Sequence, residues 1–337
     1  MASTSCLRPM AAARQLPSLL RSTYNPSKTA RSFVRCHSSS SVSADELSHF
    51  SALASSWWDP VGPSRPLHLM NPLRHDFIAS CLADAPPRPL QSDTASNDGA
   101  RGSTAAPGLQ YLDIGCGGGI FAESLARTIA LPERAQQLSP ITHATSLLAI
   151  DPSTTLIRIA RDHARIDPAL HAHLQSGRFR YENTTVEALS ETPDAREGFD
   201  MVTLFEVLEH VDNPLTFLTS CLRLVRPGGW LIGSTIARTC TSFLVSKAIA
   251  EAPWPIGVVP PGTHEWSKFV NVDEAKSWAQ EALMRAKDGA AQRAGSEALA
   301  DWRWKAAGVI YFPGIGWKFI PGSEHWGNYF WAVRKGT

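Results

Sequence analysis

The sequence predicts an α/β fold built on a doubly wound, mostly parallel β-sheet. From Tyr111 onward, short apolar runs alternate with helical patterns, which is typical of a parallel sheet with helices on both faces. A glycine-rich turn joins the first of these runs to a helical segment. Two acidic residues, Asp151 and Glu206, stand where the second and fourth runs end, and open parallel sheets bind ligands at that edge.

The composition is that of an ordinary globular protein, with 337 residues and a formal net charge of +1. This length suits one large domain or two small ones. The balanced charge gives no basic field, so we expect no nucleic-acid partner. No apolar run reaches the roughly 18 residues that a membrane span needs. The six cysteines show no CxxC spacing, which disfavours a zinc site or a disulfide framework and fits a reducing compartment.

Residues 1–44 are predicted to be a mitochondrial transit peptide, with cleavage between Arg35 and Ser43. This segment contains six basic residues, is rich in Ser and Ala, and has no acidic residue before Asp45. The alternative is a disordered basic tail. The remaining chain, residues 45–337, is predicted to be one folded domain. Three segments interrupt its pattern: a flexible insertion at 85–108, an apolar segment at 241–260, and an Ala- and Gly-rich insertion at 285–298.

Two helices are predicted ahead of the sheet. The first is amphipathic and covers residues 45–58. It ends in Trp57 and Trp58, and because neighbouring residues cannot share one helical face, at least one of them is expected to cover something outside the helix. Prolines at 60, 63 and 66 predict an extended segment, and a second helix follows over 74–83. Arg74, at its start, is either a surface charge or a carboxylate clamp near the glycine turn.

The glycine turn follows a short buried strand that contains Leu112 and Ile114. Gly115, Gly117 and Gly119 then lead into a helix, as at the start of a nucleotide-binding βαβ unit. Missing side chains would let the backbone approach a ligand. The spacing is not the dinucleotide pattern but is similar to motif I of the S-adenosylmethionine (SAM) methyltransferases. The alternative is an ordinary tight turn, in which Cys116 is simply a small residue rather than a catalytic thiol.

The next three strands are predicted at residues 146–150, 179–183 and 199–205. Asp151 ends the second strand and could accept both ribose hydroxyls of a nucleoside, or it could be the N-cap of the helix that follows. Glu206, Glu209 and His210 follow the fourth strand at the spacing i, i+3 and i+4, which places them on one face of a helix. Such a face can bind a divalent ion, or it can be an ordinary solvent-facing surface.

The last part of the chain is predicted to complete the sheet. Residues 215–225 and 272–284 have helical patterns, and residues 230–235 form a fifth strand. Residues 307–311 and 329–333 are expected to form a closing antiparallel pair, with the final strand buried on both faces because it carries three consecutive aromatic residues. The apolar segment at 241–260 is a substrate lid, a membrane-facing patch, or a buried capping subdomain.

Taken together, these motifs resemble those of the ubiquinone biosynthesis O-methyltransferases, a family of mitochondrial and bacterial enzymes. The resemblance extends from Phe50 to Lys335, apart from the insertions at 85–108 and 285–298. The motifs that carry it are Trp57-Trp58-Asp59, Pro66-Leu67-His68, Asn71-Pro72-Leu73-Arg74, Asp113 to Gly119, Thr185-Val186-Glu187, Glu206 with Glu209-His210-Val211, Ser234-Thr235 and Gly262-Thr263-His264.

The resemblance implies a Rossmann-like class I SAM-dependent methyltransferase and a role for several residues. Arg74, Gly115 and Asp151 match SAM-binding positions, and so does Phe205, where bacterial relatives have Met. Glu206, Glu209 and His210 match a Mg²⁺-type metal site, with His210 as a general base the competing role. The family often has Asn after the Ser-Thr pair of the fifth strand, where this chain has Ala237, so that position is assigned no role.

The implied substrates are a polyprenylated dihydroxybenzoate and demethylubiquinol, whose ring hydroxyls would receive the methyl group. The resemblance also implies a peripheral location on the matrix side of the mitochondrial inner membrane, in contact with its lipid surface and with other enzymes of ubiquinone biosynthesis. One alternative is a metal-independent SAM methyltransferase that acts on a soluble small molecule. Another is a SAM-binding scaffold without catalytic activity.

Overall fold

The computed structural model describes residues 54–87, 108–131, 139, 141–243, 266–286 and 301–336. Within these residues, eight strands form a single sheet. They are β1 (Leu109–Ile114), β2 (Ala144–Asp151), β3 (Phe179–Asn183), β4 (Phe199–Phe205), β5 (Val225–Ile236), β6 (Arg303–Phe312), β7 (Gly316–Phe319) and β8 (Asn328–Arg334).

The sheet has the order β3-β2-β1-β4-β5-β8-β6-β7. The first five strands in this order are parallel, which confirms the predicted doubly wound sheet. Strand β8 pairs antiparallel with both β5 and β6, and this confirms the predicted closing pair. Because the chain winds outward in opposite directions from β1 and from β4, a crevice opens between their carboxyl ends, where doubly wound sheets bind ligands.

Nine α-helical segments accompany the sheet in the described ranges. They are α1 (Arg65–Asp84), α2 (Ile120–Ala126), α3 (Thr154–Ala164), α4 (Pro168–Ser176), α5 (Val186–Leu189), α6 (Pro193–Glu197), α7 (Pro214–Leu224), α8 (Cys240–Ser242) and α9 (Val272–Ala286). Several begin at side chains that accept a bond from a free backbone N–H group, as N-caps do. These N-caps include Ser153, Asp167, Thr185 and Asn213.

Two apolar layers cover the two faces of the sheet. Side chains alternate along each strand, so Tyr111 packs into one layer and Leu112 into the other. In β8 the same alternation sends Phe330 to one face and its neighbours Tyr329 and Trp331 to the other, all of them fully buried. The prediction that this strand is buried on both faces is therefore confirmed.

Several predicted boundaries were wrong. Helix α1 begins at Arg65 and not at Arg74, because a proline in the first turn of a helix has no N–H bond to lose. At the end of the helix predicted over 45–58, the structure has only a 3-10 turn, Ala54–Ser56, followed by a turn that contains both tryptophans. Strand β5 starts at Val225, where its pairing with β4 is irregular, and strand β7 was not predicted.

Other predictions fall outside the described residues. These are the transit peptide at 1–44 and most of the three segments at 85–108, 241–260 and 285–298. Among the helices that are described, none combines the length and the apolar character needed to cross a membrane.

Candidate active site

The glycine turn joins β1 to α2 and is fastened to the end of β2. Gly115 and Cys116 donate their backbone N–H groups to the carbonyl of Ile150, at 2.9 and 3.0 Å. Gly117 donates its N–H to Asp151 Oδ2 at 3.0 Å. Gly115, Gly117 and Gly119 all have positive φ angles, between 54° and 91°, which side chains strongly disfavour. The turn therefore needs glycine for its backbone shape alone.

The space that a Cβ atom would take at each glycine is filled by another side chain of the protein. A Cβ on Gly115 would lie 2.7 Å from Val207, and one on Gly117 would lie 2.6 Å from Trp57. Trp57 also lies against Gly118, and Tyr181 lies against Gly119. Internal packing therefore also requires glycine at these positions, and close approach of a ligand to the turn backbone stays a prediction. Burial raises the pKa of the Cys116 thiol well above its ordinary value, which agrees with a small packed residue.

Asp151 lies at the end of β2 and is buried. Its Oδ2 accepts the Gly117 bond, and its Oδ1 accepts the N–H of Ser153 at 2.8 Å. The alternative prediction that Asp151 is the helix N-cap was wrong, because Ser153 caps α3. Burial raises the pKa of Asp151 to about 6, partly offset by its two backbone bonds. Asp151 thus ties the glycine turn to β2 at the predicted ribose position.

Arg74 is buried, with 3% of its surface exposed, so the surface alternative was wrong. It donates one bond, from Nη1 to Asn71 Oδ1 at 2.9 Å, and Asn71 in turn donates to the carbonyl of Ile120 at 3.0 Å. The guanidinium carbon lies 4.9 Å from the ring centre of Phe205 and 5.8 Å from that of Phe121. Nε of Arg74 has no hydrogen-bond partner among the described residues. Burial lowers the pKa of Arg74 to about 10, although the nearby charges of Glu206 and Asp113 raise it.

Asp113, the last acidic residue before the glycines, is a site residue to which the sequence analysis gave no role. Its Oδ1 accepts a bond from Thr203 Oγ1 at 2.7 Å, and its Oδ2 is buried without a partner in the described chain. Burial raises the pKa of Asp113 to about 7, against the opposing effects of the Thr203 bond and the Arg74 charge. Its position at the carboxyl end of a central strand was the available signal.

Arg74 and Asp113 together fit the amino-acid end of SAM. That end carries a carboxylate and an ammonium group, and here a buried guanidinium Nε and a buried carboxylate oxygen both lack partners among the described residues. Buried polar groups without partners are unusual in native proteins and indicate a ligand or a water. Asp151 stands at the neighbouring strand end, and Phe205 adds an apolar wall. The residues present are therefore suitable to hold SAM at this edge of the sheet.

Glu206, Glu209 and His210 do not share a helical face. The helical turn covers only Leu208–His210, and Glu206 precedes it with a φ of 57°, so the spacing argument was wrong. Glu206 Oε1 accepts a bond from Ser234 Oγ at 2.5 Å, and Glu209 Oε2 accepts one from Thr235 Oγ1 at 2.7 Å. Both carboxylates thus bind neighbouring hydroxyls of β5.

In the group of Glu206, Glu209 and His210, which we call the acidic trio, Glu209 is the buried member. Only 5% of it is exposed. Burial and the adjacent charge of Glu206 raise the pKa of Glu209 to about 7, and His210 acts in the opposite direction. Carboxylate oxygens suit a hard divalent ion. In this arrangement, however, no three His, Cys, Asp or Glu side chains of the described ranges are grouped to hold a metal. The trio as placed does not fit a metal site, and its assignment as ligands stays a prediction.

The fold and the site define a methyltransferase. A family model described as a methyltransferase domain matches residues 76–307. The chain is 34% identical over 317 residues to a mitochondrial ubiquinone biosynthesis O-methyltransferase of Candida albicans, covering 88% of this chain and 86% of that protein. It is 38% identical to the mitochondrial protein of the same name from Schizosaccharomyces pombe, covering 72% of each chain. It is 39% identical to the bacterial one from Cereibacter sphaeroides, covering 70% of this chain and 81% of that one.

The chain therefore belongs to the ubiquinone biosynthesis O-methyltransferases, as its motifs predicted. It is a SAM-dependent O-methyltransferase.

Proposed function

We propose that this enzyme methylates a ring hydroxyl of polyprenylated phenols in ubiquinone biosynthesis, with a dihydroxybenzoate and demethylubiquinol as substrates. The observation that carries the proposal is the pair of buried, unsatisfied polar atoms, Arg74 Nε and Asp113 Oδ2, beside the glycine turn of a chain from this family. The names of the relatives support the substrate class.

Each SAM-binding residue has a proposed part. Arg74 binds the α-carboxylate, and the Asn71 bond holds its guanidinium in place for that contact. Asp113 binds the α-ammonium group, and Asp151 accepts the ribose hydroxyls. Gly115 and Phe205 line the site through the turn backbone and the ring. Bound there, SAM supplies an electrophilic methyl group, which the ring oxygen takes while the electron pair of the broken C–S bond stays on sulfur.

The acidic trio is proposed to handle the phenolic proton. A phenol has a pKa of about 10, so its hydroxyl is mostly protonated at neutral pH. Glu209, whose pKa is about 7, is suited to accept that proton near neutral pH, and His210 is the alternative acceptor. The reaction joins the phenolate anion to the sulfonium cation of SAM, so charge disappears in the transition state. A site that excludes water therefore favours it. Burial of Glu209 and Arg74 indicates that water is limited here.

An alternative role for Glu206, Glu209 and His210 is to hold a divalent ion such as Mg²⁺, in which case Glu209 is a ligand and not the proton acceptor. The residue types support it, because hard cations prefer oxygen ligands. Binding an ion would require the two carboxylates to leave the hydroxyls of Ser234 and Thr235. No reaction step is assigned to the ion.

We also propose a peripheral location on the matrix side of the mitochondrial inner membrane, within a complex of ubiquinone-biosynthesis enzymes. The acid-poor residues 1–44 and the mitochondrial relatives support the compartment.

An apolar substrate tail requires access to lipid. Three exposed aromatic side chains support a docking surface near the segment 241–260, since such rings favour membrane interfaces. They are Phe243, Trp266 and Trp326, which are 49%, 37% and 55% exposed.

The test is methyl transfer from labelled SAM to a short-tailed demethylubiquinol, with and without a chelator and added Mg²⁺. Transfer to the ring oxygen supports the proposed function, and its loss in chelator supports the ion. Transfer that ignores the chelator rejects the ion but keeps the enzyme. A tail-free catechol that is methylated equally well would favour the soluble-substrate alternative. SAM binding without any transfer would favour the scaffold.

A further inference from the structure

Trp57 and Trp58, which follow the 3-10 turn Ala54–Ser56, lie directly on the glycine turn. Trp57 is 8% exposed and packs with Ala54, Ile120 and Leu156 in a small apolar cluster of its own. Its ring occupies the space that a Cβ atom would need on Gly117 and on Gly118. Gly118 does not have a positive φ, so its backbone shape does not require glycine. The Trp57 ring, which leaves no room for a Cβ atom, explains why this position is glycine.

Trp58 fastens this arrangement through polar and stacking contacts. Its Nε1 donates to the carbonyl of Gly118 at 2.9 Å. Its ring stacks on His163, with the centres 3.5 Å apart and the planes within 6°. His163 Nδ1 lies 2.8 Å from Oε1 of Glu123, a fully buried residue of α2. Trp58 therefore connects the turn to α3 directly and to α2 through the His163–Glu123 pair.

Helix α1 also contacts both tryptophans, through His68. His68 Nε2 lies 3.2 Å from the carbonyl oxygen of Trp57, and the His68 and Trp58 rings pack edge to face with their centres 5.0 Å apart. One helical turn further on, Asn71 bonds both the carbonyl of Ile120 and the guanidinium of Arg74. The same helix thus holds the tryptophans and the arginine against the start of α2.

We propose that Trp57 and Trp58 form a tryptophan clasp, a pair of positioning residues that fixes the glycine turn in the shape that binds SAM. The proposal rests on the proposed function only in taking the turn as the SAM site. Adjacent residues in a turn point in different directions, so one ring covers the glycines while the other anchors the pair. Each contact is to the turn or to the elements that flank it, so the clasp acts through the turn and not on the substrate.

The opposite possibility is that Trp57 occupies space that SAM must enter. The contacts favour positioning, because releasing Trp57 would break the Trp58 bond to Gly118, the His163 stack and the His68 contact together. The two possibilities predict opposite effects of removing the ring. If the clasp positions the turn, SAM binds more weakly without Trp57, and if the ring obstructs the site, SAM binds more tightly.

The experiment measures the dissociation constant of SAM by calorimetry, with melting temperature and the KM for a short-tailed phenol. We expect Trp57→Ala to weaken SAM binding on the order of tenfold, because a small displacement of binding groups lowers affinity strongly. Trp57→Phe should restore most of the affinity. Trp58→Phe keeps the stack and loses one hydrogen bond, so a roughly threefold loss is expected. In each variant the KM for the phenol should stay as in the wild type.

A double-mutant cycle tests whether the effect of Gly118→Ala on SAM affinity comes from a collision with the Trp57 ring. Gly118→Ala alone should weaken SAM binding, and in the Trp57→Ala background it should have no further effect, since the ring it collides with is gone. If Gly118→Ala keeps its full effect in that background, the glycine is small for another reason and the clasp is rejected. If Trp57→Ala does not fold, the Gly118→Ala and Trp58→Phe results still decide, because unchanged SAM affinity in both would reject the clasp.

The matched control is Trp278→Ala, which removes an equally large, half-buried ring from α9. It should lower the melting temperature and leave SAM affinity unchanged, which separates lost stability from a displaced turn. Tighter SAM binding by Trp57→Ala, or unchanged binding in a folded protein, would overturn the proposal. Wild-type protein that binds SAM but does not methylate the phenol refutes the proposed substrate and not the clasp, whereas failure of the wild type to bind SAM rejects both.

Discussion

Replacing Arg74 by Met should weaken SAM binding strongly while leaving the protein about as stable as before. Burial lowers the pKa of Arg74 from its ordinary value to about 10, and a tenfold change in proton affinity is worth about 1.4 kcal/mol. The charged guanidinium therefore destabilises the folded protein by about 3 kcal/mol at neutral pH, below both pKa values. Its hydrogen bond to Asn71 and its cation–π contact with the Phe205 ring together stabilise the folded protein by about 2–4 kcal/mol.

These opposing terms nearly cancel, so Arg74→Met should change the free energy of unfolding by less than about 1 kcal/mol. The loss of a buried, charge-assisted contact to the SAM carboxylate should cost about 2–5 kcal/mol, or roughly 30-fold or more in the dissociation constant. Urea unfolding without ligand gives the first quantity and calorimetric titration with SAM gives the second.

Arg226 provides the matched control, since it is also buried but has its partners. It bonds Asp200 at 3.0 Å, Gln110 at 3.1 Å and the carbonyl of Glu197 at 2.8 Å. Arg226→Met removes the ion-pair partner of the buried Asp200, which keeps only the N–H of Gln110, and should destabilise the protein by about 3–5 kcal/mol, with SAM affinity of the folded protein unchanged. If Arg74→Met loses stability as Arg226→Met does and still binds SAM normally, Arg74 is a structural residue and not the carboxylate-binding one.

Three further predictions concern the other charged groups. SAM affinity should rise on the order of tenfold between about pH 5.5 and 7.5, because Asp113 becomes charged as pH passes its pKa of about 7, and Asp113→Asn should leave only the smaller dependence due to Asp151. Glu209→Gln should lower kcat by about 10²–10⁴ and remove the rise of kcat through pH 7 that the wild type shows, as stopped-time assays across pH can measure. Glu206→Gly should be about 1 kcal/mol more stable to urea than Glu206→Ala, because only glycine adopts a φ of 57° without strain, and equal stability would contradict a strained Glu206.

The sheet was predictable because its strands are buried apolar runs bounded by turns. Strands β3 and β4 have the predicted limits, and helix α9 begins where its apolar period begins. The start of α1 was missed because three prolines in one short segment indicate extended chain, although the helix tolerates Pro66 in its first turn and Pro72 inside. Local signals of this kind cannot show what tertiary packing will accept.

The site was predictable in its residues more than in its arrangement. Asp151 and Arg74 were predicted to bind SAM, which stays a prediction, and residue type alone could not show whether Arg74 is buried, since that depends on α1 packing against α2. Asp113 was seen as the acid before the glycines, and its unsatisfied oxygen appears only once the strands are paired. The spacing of Glu206 and Glu209 suggested one helical face because a spacing argument assumes a continuous helix, whereas the chain leaves β4 through a left-handed residue.

The most direct test of the account is a crystal structure of the protein with S-adenosylhomocysteine, which keeps the amino-acid and ribose ends of SAM. We expect the ligand carboxylate within hydrogen-bond distance of Arg74 Nε, its amino group at Asp113 Oδ2, and its ribose hydroxyls at Asp151. Trp57 should remain against Gly117 and Gly118. A ligand bound with Arg74 and Asp113 still lacking those contacts would contradict the central claim that their buried, unsatisfied atoms are the SAM site.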